Sequence, residues 1–378
     1  VNSNNSVTFN GVTATVTAST STSVSIPTTV PVGATTGKIS ITVAGQSATS
    51  VSDFIITKLG ISQTIYPEFF IVDENSATVT ILVNDINEVQ SIKINRRGIT
   101  EDDSKLKVDA IPFTTSGNSI SLSVLASYFT DPLGLYCWFS ITEKAGNEIV
   151  SLPGNIYLKY LASSSKQVIP DLTAGKKTSA YQLIAVPLEL TTKSTKDIFS
   201  DLGNYNNKKW RLFSLTNEKL GENPVTMETG KGYWFIMRDQ TEINPGQGTV
   251  VKATKQTPYK ISLSAGWNLI GNPYNFSISW DDVLDHNGLP ETKLKFRQFI
   301  NGAMINDPIL TRYRGGFVWS DVARQIEIPV INKSAAGGRK ATAQTQPIDM
   351  SEWMVNLTLQ DDEFSNSLFG FGMNPQAS

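Results

Sequence analysis

The sequence of 378 residues contains one cysteine and one histidine. A single cysteine cannot form a disulfide within the chain, and together with one histidine it cannot complete a zinc site built from such ligands. We therefore expect the folded chain to be stabilised by the packing of apolar cores. The sequence predicts no cofactor and no metal site.

Charge is sparse and balanced, with 32 Lys and Arg against 34 Asp and Glu and a net charge of −2. Without a basic excess or a basic run, no electrostatic footprint for a nucleic-acid backbone exists, so we expect no nucleic-acid partner. The longest apolar stretches, such as Tyr233–Met237, are far shorter than the roughly 20 residues of a membrane helix. We therefore expect no membrane span.

Val1 stands in a Ser/Thr/Asn stretch without a charged or apolar region, so we do not expect residues at the start of the sequence to form a signal peptide. This favours a processed or excised piece. Residues 1–57 contain 23 Ser and Thr but only two charged residues, Lys38 and Asp53. Apolar and polar positions alternate there, which predicts strands with one buried face, and Asn10-Gly11 predicts a two-residue hairpin turn.

This first segment has a recognisable order of motifs. They are Val7-Thr8-Phe9-Asn10-Gly11, Val30-Pro31-Val32-Gly33-Ala34-Thr35-Thr36-Gly37, Ile39-Ser40-Ile41-Thr42-Val43, Gly45-Gln46-Ser47-Ala48-Thr49-Ser50 and Phe54. Together they resemble an IPT/TIG immunoglobulin-like domain over residues 1–57. The family's opening strand and its Pro/Gly-rich lead-in are missing, so the resemblance implies a domain truncated at its start.

Residues 58–163 continue the all-β pattern with more charge. Strand-like alternation recurs between turn signals such as Asn84-Asp85 and Ala145-Gly146-Asn147, which is typical of a β-sandwich. The segment from Asp131 to Tyr136 is similar to the corner before the sixth strand of immunoglobulin-like domains. Residues 161–166 are predicted to form a short flexible linker.

The rest of the chain contains an internal repeat with an offset of about 86 residues. Four segments align: 181–188 with 267–274, 196–199 with 281–284, 210–213 with 296–299, and 230–234 with 314–318. We therefore predict two β-rich units of one fold, residues 164–258 and 259–378. Each unit is expected to carry a short helix, at 194–202 and 280–284 respectively.

Three strings in the repeats resemble a module near the carboxyl end of large secreted surface proteins of Bacteroidetes-type bacteria. They are Gly230-Lys231-Gly232-Tyr233-Trp234, the stretch 266–274 and Ser279-Trp280-Asp281-Asp282-Val283. Residues 353–359 and 369–378 resemble the final strand and exit segment of that module. The resemblance implies an extracellular or cell-surface location and type IX secretion, because a sorting domain for that pathway commonly follows the module in such proteins.

Candidate catalytic residues are few. His286 lies in a turn-like Asp-His-Asn-Gly string without partner residues of a catalytic site, and Cys137 lies on a predicted strand without a basic cluster to activate it. Adjacent acids at 102–103, 281–282 and 361–363 would point to opposite faces of a strand, so they form no catalytic dyad by themselves. The Gly-rich strings lack the pattern of a nucleotide-binding loop.

Aromatic residues are the remaining binding candidates, because flat rings can stack on sugars. The set is Tyr233, Trp234, Trp267, Tyr274, Trp280, Trp319 and Trp353. Most are expected in the core, since aromatic side chains bury large areas. Tyr274 and Trp280 flank loop-like residues, and we expect these two to be the more exposed and to be the candidates for ligand stacking.

The sequence thus predicts an all-β, multidomain chain: immunoglobulin-like sandwiches followed by a duplicated β-rich sandwich module. The predicted function is a non-catalytic stalk, spacer, adhesive region or presentation scaffold of a secreted bacterial protein. The alternative is a carbohydrate-binding accessory region of a surface glycan-utilisation system. Surface proteins or polysaccharide are the expected partners, and the sequence leaves the oligomeric state open.

Overall fold

The computed structural model describes residues 6–16, 26, 28–164, 167–216, 218–332, 354–360 and 365–372. Antiparallel sheets dominate this part of the chain, and its α-helices are short. The predicted fold class, all-β and multidomain with immunoglobulin-like sandwiches followed by a duplicated module, is confirmed. Among the residues that the structure places, no helix has the length and apolar character needed to cross a membrane.

The amino-terminal domain is a four-stranded sheet in the order β2-β1-β3-β4. Its strands are β1 (Ser6–Phe9), β2 (Val12–Ala14), β3 (Ile39–Val43) and β4 (Gln46–Thr49). Asn10 and Gly11 join β1 to β2 with φ angles of 44° and 86°, which confirms the predicted hairpin turn. The small core contains Val7, Phe9 and Ala14, and the ring of Phe54 packs edge-on against Phe9 at 5.1 Å.

The second sandwich is built from ten strands. They are β5 (Ile61–Ile65), β6 (Phe69–Ile71), β7 (Ser76–Val83), β8 (Val89–Gly98), β9 (Lys107–Ala110), β10 (Phe113–Ser116), β11 (Ser119–Leu125), β12 (Gly134–Glu143), β13 (Glu148–Val150) and β14 (Gly154–Tyr160). One sheet has the order β10-β11-β7-β5, and the other includes β14-β12-β8-β9. Alternate residues of β7, β11 and β12 are fully buried between the sheets, as period-two patterning requires.

A polar corner fixes the start of β12. The buried carboxylate of Asp131 accepts hydrogen bonds from the amides of Thr100 (3.1 Å) and Leu133 (2.9 Å) and from the Thr100 hydroxyl. Burial raises the pKa of Asp131 even though these bonds oppose the shift. The corner expected from the sequence before this strand is therefore present.

The two repeats share one topology. The first contains β15 (Gln182–Ile184), β16 (Glu189–Leu190), α1 (Thr195–Ile198), β17 (Trp210–Thr216), β18 (Lys219–Glu222), β19 (Tyr233–Met237) and β20 (Gly248–Thr249). The second contains β21 (Tyr259–Leu263), β22 (Gly266–Gly271), β23 (Ile278–Ser279), α2 (Trp280–Asn287), β24 (Leu294–Ile300), β25 (Ala303–Ile305), β26 (Ile309–Leu310), β27 (Gly315–Ser320) and β28 (Arg324–Ile328). The main sheets have equivalent orders, β15-β19-β17-β18 and β22-β27-β24-β25. A further hairpin joins β29 (Met354–Gln360) to β30 (Ser365–Gly372).

Strand register corrects the alignment of the repeats in two places. Leu183 lies opposite Trp234, and the equivalent Leu269 lies opposite Phe317. Trp234 therefore corresponds to Phe317 and not to Val318. By the same register Trp210 corresponds to Leu294 rather than to Phe296. The sequence alignment was wrong there because it matched aromatic residues of similar type, whereas the sheet fixes equivalence by position.

The second sandwich and both repeats share one hydrophobic core. Its buried residues extend from Leu59 to Val330. The sheet of the second sandwich also continues past residue 163 in the order β16-β20-β14-β12-β8-β9, so two strands of the first repeat extend it. The described part of the predicted linker is also held, because Gln167 donates to the carbonyl of Leu161 and Asn244 donates to that of Ala162. Residues 161 and 162 of the predicted linker are therefore hydrogen-bonded to the first repeat.

The main sheets of the two repeats pack face to face in a pseudo-symmetric way. A second core between them contains Leu183, Phe213, Trp234, Leu269, Phe299 and Phe317. Two reciprocal bridges join the edges: Ile184 pairs with Arg314, and the equivalent Ile270 pairs with Lys231. When a residue and its equivalent exchange partners in this manner, the two units are related by an approximate two-fold axis.

Candidate functional site

Tyr274 is fully buried, so the expectation that it is exposed is wrong. Its hydroxyl donates to the carbonyl of Ile328 (2.7 Å) and accepts from the amide of Tyr259 (2.9 Å), and its ring stacks on Phe276 at 5.0 Å. Burial raises the pKa of Tyr274. The residues around Tyr274 look like an exposed loop in the sequence, but they form a turn that is packed inside the protein. Asn272 in this turn has a fully buried side chain that donates a hydrogen bond to the carbonyl of Phe276.

Trp280 is buried in the same way, so the expectation that it is exposed is also wrong. The indole is 2% exposed, stacks on Phe296 at 4.6 Å and donates its ring N–H to the carbonyl of Leu294 (3.3 Å). It begins α2, and this helix turns the ring toward the sheet. A large aromatic residue with a satisfied polar atom is most stable in such a place.

The other sequence candidates do not form a reactive centre in the described part of the chain. Cys137 is fully buried, and burial raises its pKa to about 12, which keeps the thiol protonated and unreactive. His286 lies near the end of α2, where its Nε2 is 3.0 Å from the carboxylate of the half-buried Glu327. No group of three or more His, Cys, Asp or Glu side chains able to hold a metal occurs in the described ranges. The acids at 361–363 and the glycines at 337–338 lie outside the described residues.

Two grooves lie between the repeats, at positions related by the approximate two-fold axis. The larger groove has a volume of about 460 Å³, and its lining includes Leu215, Glu218, Lys231, Ser264, Trp267 and Asn268. The smaller groove has a volume of about 210 Å³, and its lining includes Asp171, Thr173, Tyr181, Gln182, Phe299 and Arg314. Tyr181 corresponds to Trp267, Gln182 to Asn268 and Arg314 to Lys231.

Polar contacts within the chain occupy the smaller groove. Gln182 accepts from the amide of Thr173 (3.2 Å) and donates to the carbonyl of the same residue (2.8 Å). Arg314 donates to the carbonyls of Pro170 (2.9 Å) and Asp171 (2.8 Å). Burial lowers the pKa of Arg314. Its Nη1 is buried without a protein partner among the described residues, and the groove has room for a water molecule there.

In the larger groove the two charged side chains, Glu218 and Lys231, are exposed, whereas the amide of Asn268 is bonded to the backbone of Ser264 and Gly266. Glu218 lies at the tip of the β17–β18 hairpin and accepts a hydrogen bond from the amide of Trp267 (2.9 Å). Lys231 is exposed, and its side chain forms no hydrogen bond or ion pair within the described residues. The Trp267 ring is half-buried and packs edge-on against Phe317 at 6.4 Å. The groove thus combines a supported aromatic ring with one positive and one negative side chain.

Sequence reasoning included Trp267 only as a member of a larger aromatic set, and it did not select Lys231 or Glu218. The signal for Lys231 was present in Gly230-Lys231-Gly232, a Gly-rich string that lacks the pattern of a nucleotide-binding loop. The position of Lys231 in a groove follows only from the structure, in which Lys231 forms a bridge with Ile270 of β22. Nothing in the local sequence indicates that Glu218 contacts Trp267, which is distant along the chain.

The junction between the amino-terminal domain and the second sandwich is held by Glu143. This side chain is 1% exposed, and its Oε2 accepts from the amides of Lys58 (3.0 Å) and Leu59 (3.1 Å). Asn147 donates to the other carboxylate oxygen and to the carbonyl of Ile56 (3.3 Å). Burial raises the pKa of Glu143, but these hydrogen bonds outweigh burial and hold it below its ordinary value. The ionised form therefore stabilises the junction.

Comparisons with known proteins give no family. No protein-family model matches the chain, and no curated protein matches it. Matching solved structures include the extracellular region of plexin A4, with 12% identity over 65% of this chain and a TM-score of 0.22. They also include extracellular domains 3–5 of Drosophila OTK, with 15% identity over 73% of this chain, 97% coverage of that chain and a TM-score of 0.19. The match spans 19% of the plexin chain. At these TM-scores neither likeness carries an argument about fold or function.

Proposed function

We propose that this chain is a non-catalytic structural or adhesive region of an extracellular protein, acting as a spacer or presentation scaffold. The observation that carries the proposal is the shared core from Leu59 to Val330, together with a sheet that continues from the second sandwich into the first repeat. Units joined by a common core and a common sheet resist bending, whereas units joined by a short linker do not. A body built in this way suits the display of another domain at a fixed distance.

The finer assignment is a large secreted or cell-surface protein of a Bacteroidetes-type bacterium. It rests on the motifs of residues 1–57 and of the two repeats, which resemble surface-protein modules. In this proposal the chain has four sequence units, 1–57, 58–163, 164–258 and 259–378, and the last two arose by duplication. Residues 58–332 then act mechanically as one unit. Surface proteins or polysaccharide are the proposed partners.

The test is a display fusion that joins the chain to a cell-surface anchor, with a fluorophore on a Val322→Cys variant. Val322 is exposed, and the native Cys137 is buried and does not compete for the label. If the chain is a rigid scaffold, the fluorophore should lie at one height above the membrane, with a narrow distribution of heights. A spread as broad as that of a Gly/Ser linker with the same number of residues would contradict the proposal, since such linkers behave as random coils.

A further inference from the structure

We propose that the larger groove between the repeats binds a neutral saccharide of one to three sugar units. This inference goes beyond the scaffold function and does not depend on it. The groove volume of about 460 Å³ falls within the range of about 300–1,000 Å³ that is usual for small-molecule sites. Such sites combine apolar or aromatic walls with a few polar groups that orient the ligand.

Trp267 supplies the aromatic wall. Its ring packs against Phe317, and its backbone amide is fixed by the Glu218 carboxylate at 2.9 Å. The ring contact orients the side chain and the hydrogen bond fixes the backbone before any ligand arrives, which reduces the entropy lost on binding. An amphipathic ring of this kind offers a flat apolar surface of the type that suits the C–H face of a pyranose.

Lys231 and Glu218 supply the polar groups, and their charges point to a neutral ligand. The Lys231 ammonium is a donor, and the Glu218 carboxylate is an acceptor with a second oxygen beyond the one bonded to Trp267. Sugar hydroxyl groups both donate and accept, so they can satisfy both side chains. Because the two charges cancel within the groove, an anionic ligand would gain little net attraction there.

The smaller groove serves as an internal comparison for this assignment. Its base, Arg314, donates to the backbone of residues 170–171, whereas the equivalent Lys231 of the larger groove is exposed. The equivalent amides, Gln182 and Asn268, are bonded to the backbone in both grooves. The volume of the smaller groove is less than half that of the larger groove. Two grooves of common origin have therefore diverged, and the one that contains Trp267 has kept room for a ligand.

The experiment measures binding of the full chain to a panel of neutral oligosaccharides by calorimetry and by affinity electrophoresis. The probes are cello-, xylo-, manno-, malto- and laminari-oligosaccharides, with polygalacturonate as a charged comparison. We expect the wild type to bind at least one neutral probe. We expect Trp267→Ala to weaken that binding at least tenfold, and Lys231→Met to weaken it at least threefold.

The matched control is Trp138→Ala, which removes a half-buried tryptophan from the outer face of the second sandwich and should leave binding unchanged. Circular dichroism and melting curves check that each variant folds. If Trp267→Ala proves unstable, the exposed Lys231→Met variant decides the question. Absence of binding to every neutral probe, binding to polygalacturonate alone, or equal losses in the Trp267 and Trp138 variants would overturn the proposal. None of these results would alter the spread of heights that tests the scaffold function.

Discussion

The amino-terminal domain and the rest of the chain differ in how much core they contain. Val7, Phe9 and Ala14 form the buried core of the described part of the domain. The body that begins at residue 58 encloses a core reaching from Leu59 to Val330. Small units bury a lower fraction of their surface and are correspondingly less stable. The difference teaches that the small domain depends on its junction for a fixed orientation, whereas the body depends on packing.

The two regions also use different chemistry at their connections. Within the body, the first repeat and the second sandwich are connected by apolar packing and by a continuous sheet. Where the small domain meets the body, Ile56 of the domain accepts a hydrogen bond from Asn147, and the first residues of the body, Lys58 and Leu59, donate to Glu143. The stability of a junction held by an ionisable side chain changes with pH. The stability of a junction held by apolar packing falls mainly when a substitution removes side-chain volume.

The largest effect is expected from truncating the core of the body. Phe139 of the second sandwich and Phe235 of the first repeat are both fully buried, so Phe139→Ala and Phe235→Ala should each lower the free energy of unfolding by about 3–5 kcal/mol. Because the core is shared, both variants should lower the midpoint of the same unfolding transition in calorimetry. Two separate transitions, one affected by each variant, would show that the body is not one unit.

A smaller loss is expected from the equivalent change in the amino-terminal domain. Phe9 is 6% exposed and contacts Phe54, and Phe9→Ala should destabilise this domain by about 3 kcal/mol. The body should keep its stability. Hydrogen exchange measured by mass spectrometry separates the two, because amides of β1 and β3 should exchange faster while those of β12 should not. Faster exchange in β12 would mean that the domain and the body unfold together.

The junction should respond to both mutation and acid. Glu143→Gln leaves one acceptor oxygen for three donors, so it should destabilise the junction by about 2 kcal/mol. Because the folded-state pKa of Glu143 is lowered, the stabilisation is present above the ordinary pKa and is lost as pH falls through the folded value. Distances between labels on the domain and the body should broaden in that acid range.

The control for the junction is Glu148→Gln, which changes an exposed carboxyl on β13 nearby. It should leave the label distances unchanged at neutral pH. If Glu143→Gln and Glu148→Gln behave alike, the buried carboxylate does not hold the junction.

The smallest effect is expected from a surface ion pair that joins the body's parts. Lys252 pairs with Glu68, and both side chains are more than half exposed. Since exposed pairs contribute about 0–1 kcal/mol, Lys252→Ala should change the midpoint of urea unfolding very little. A loss as large as that of Phe235→Ala would show that charge, rather than the shared core, connects the second sandwich to the first repeat.

The fold class and the duplication could be predicted because they depend on local patterns. Period-two alternation identified strands, Asn10-Gly11 identified a hairpin, and four aligned segments identified the repeat. The continuity of the body could not be predicted in this way. It depends on β16 and β20 pairing beside β14, and pairing between strands distant in sequence leaves no local signal.

The position of the groove could not be predicted from the sequence. The sequence selected Tyr274 and Trp280 as the more exposed aromatic residues, but both are buried, because loop-like neighbours do not imply exposure. Those neighbours, Asn272 above all, form a buried turn that satisfies its own polar groups. The groove arises from the pairing of two repeats, and that pairing appears only in three dimensions.

The most direct test of the central claim is a pair of distance distributions measured by electron spin resonance. One label pair is Val108→Cys with Val322→Cys, which lies within the body, and the other is Val32→Cys with Val108→Cys, which spans the junction. All three positions are exposed, with Val32 fully so. We predict a narrow distribution for the first pair at every pH at which the protein folds, and a second distribution that broadens in acid and in Glu143→Gln. A broad distribution within the body at neutral pH would contradict the account.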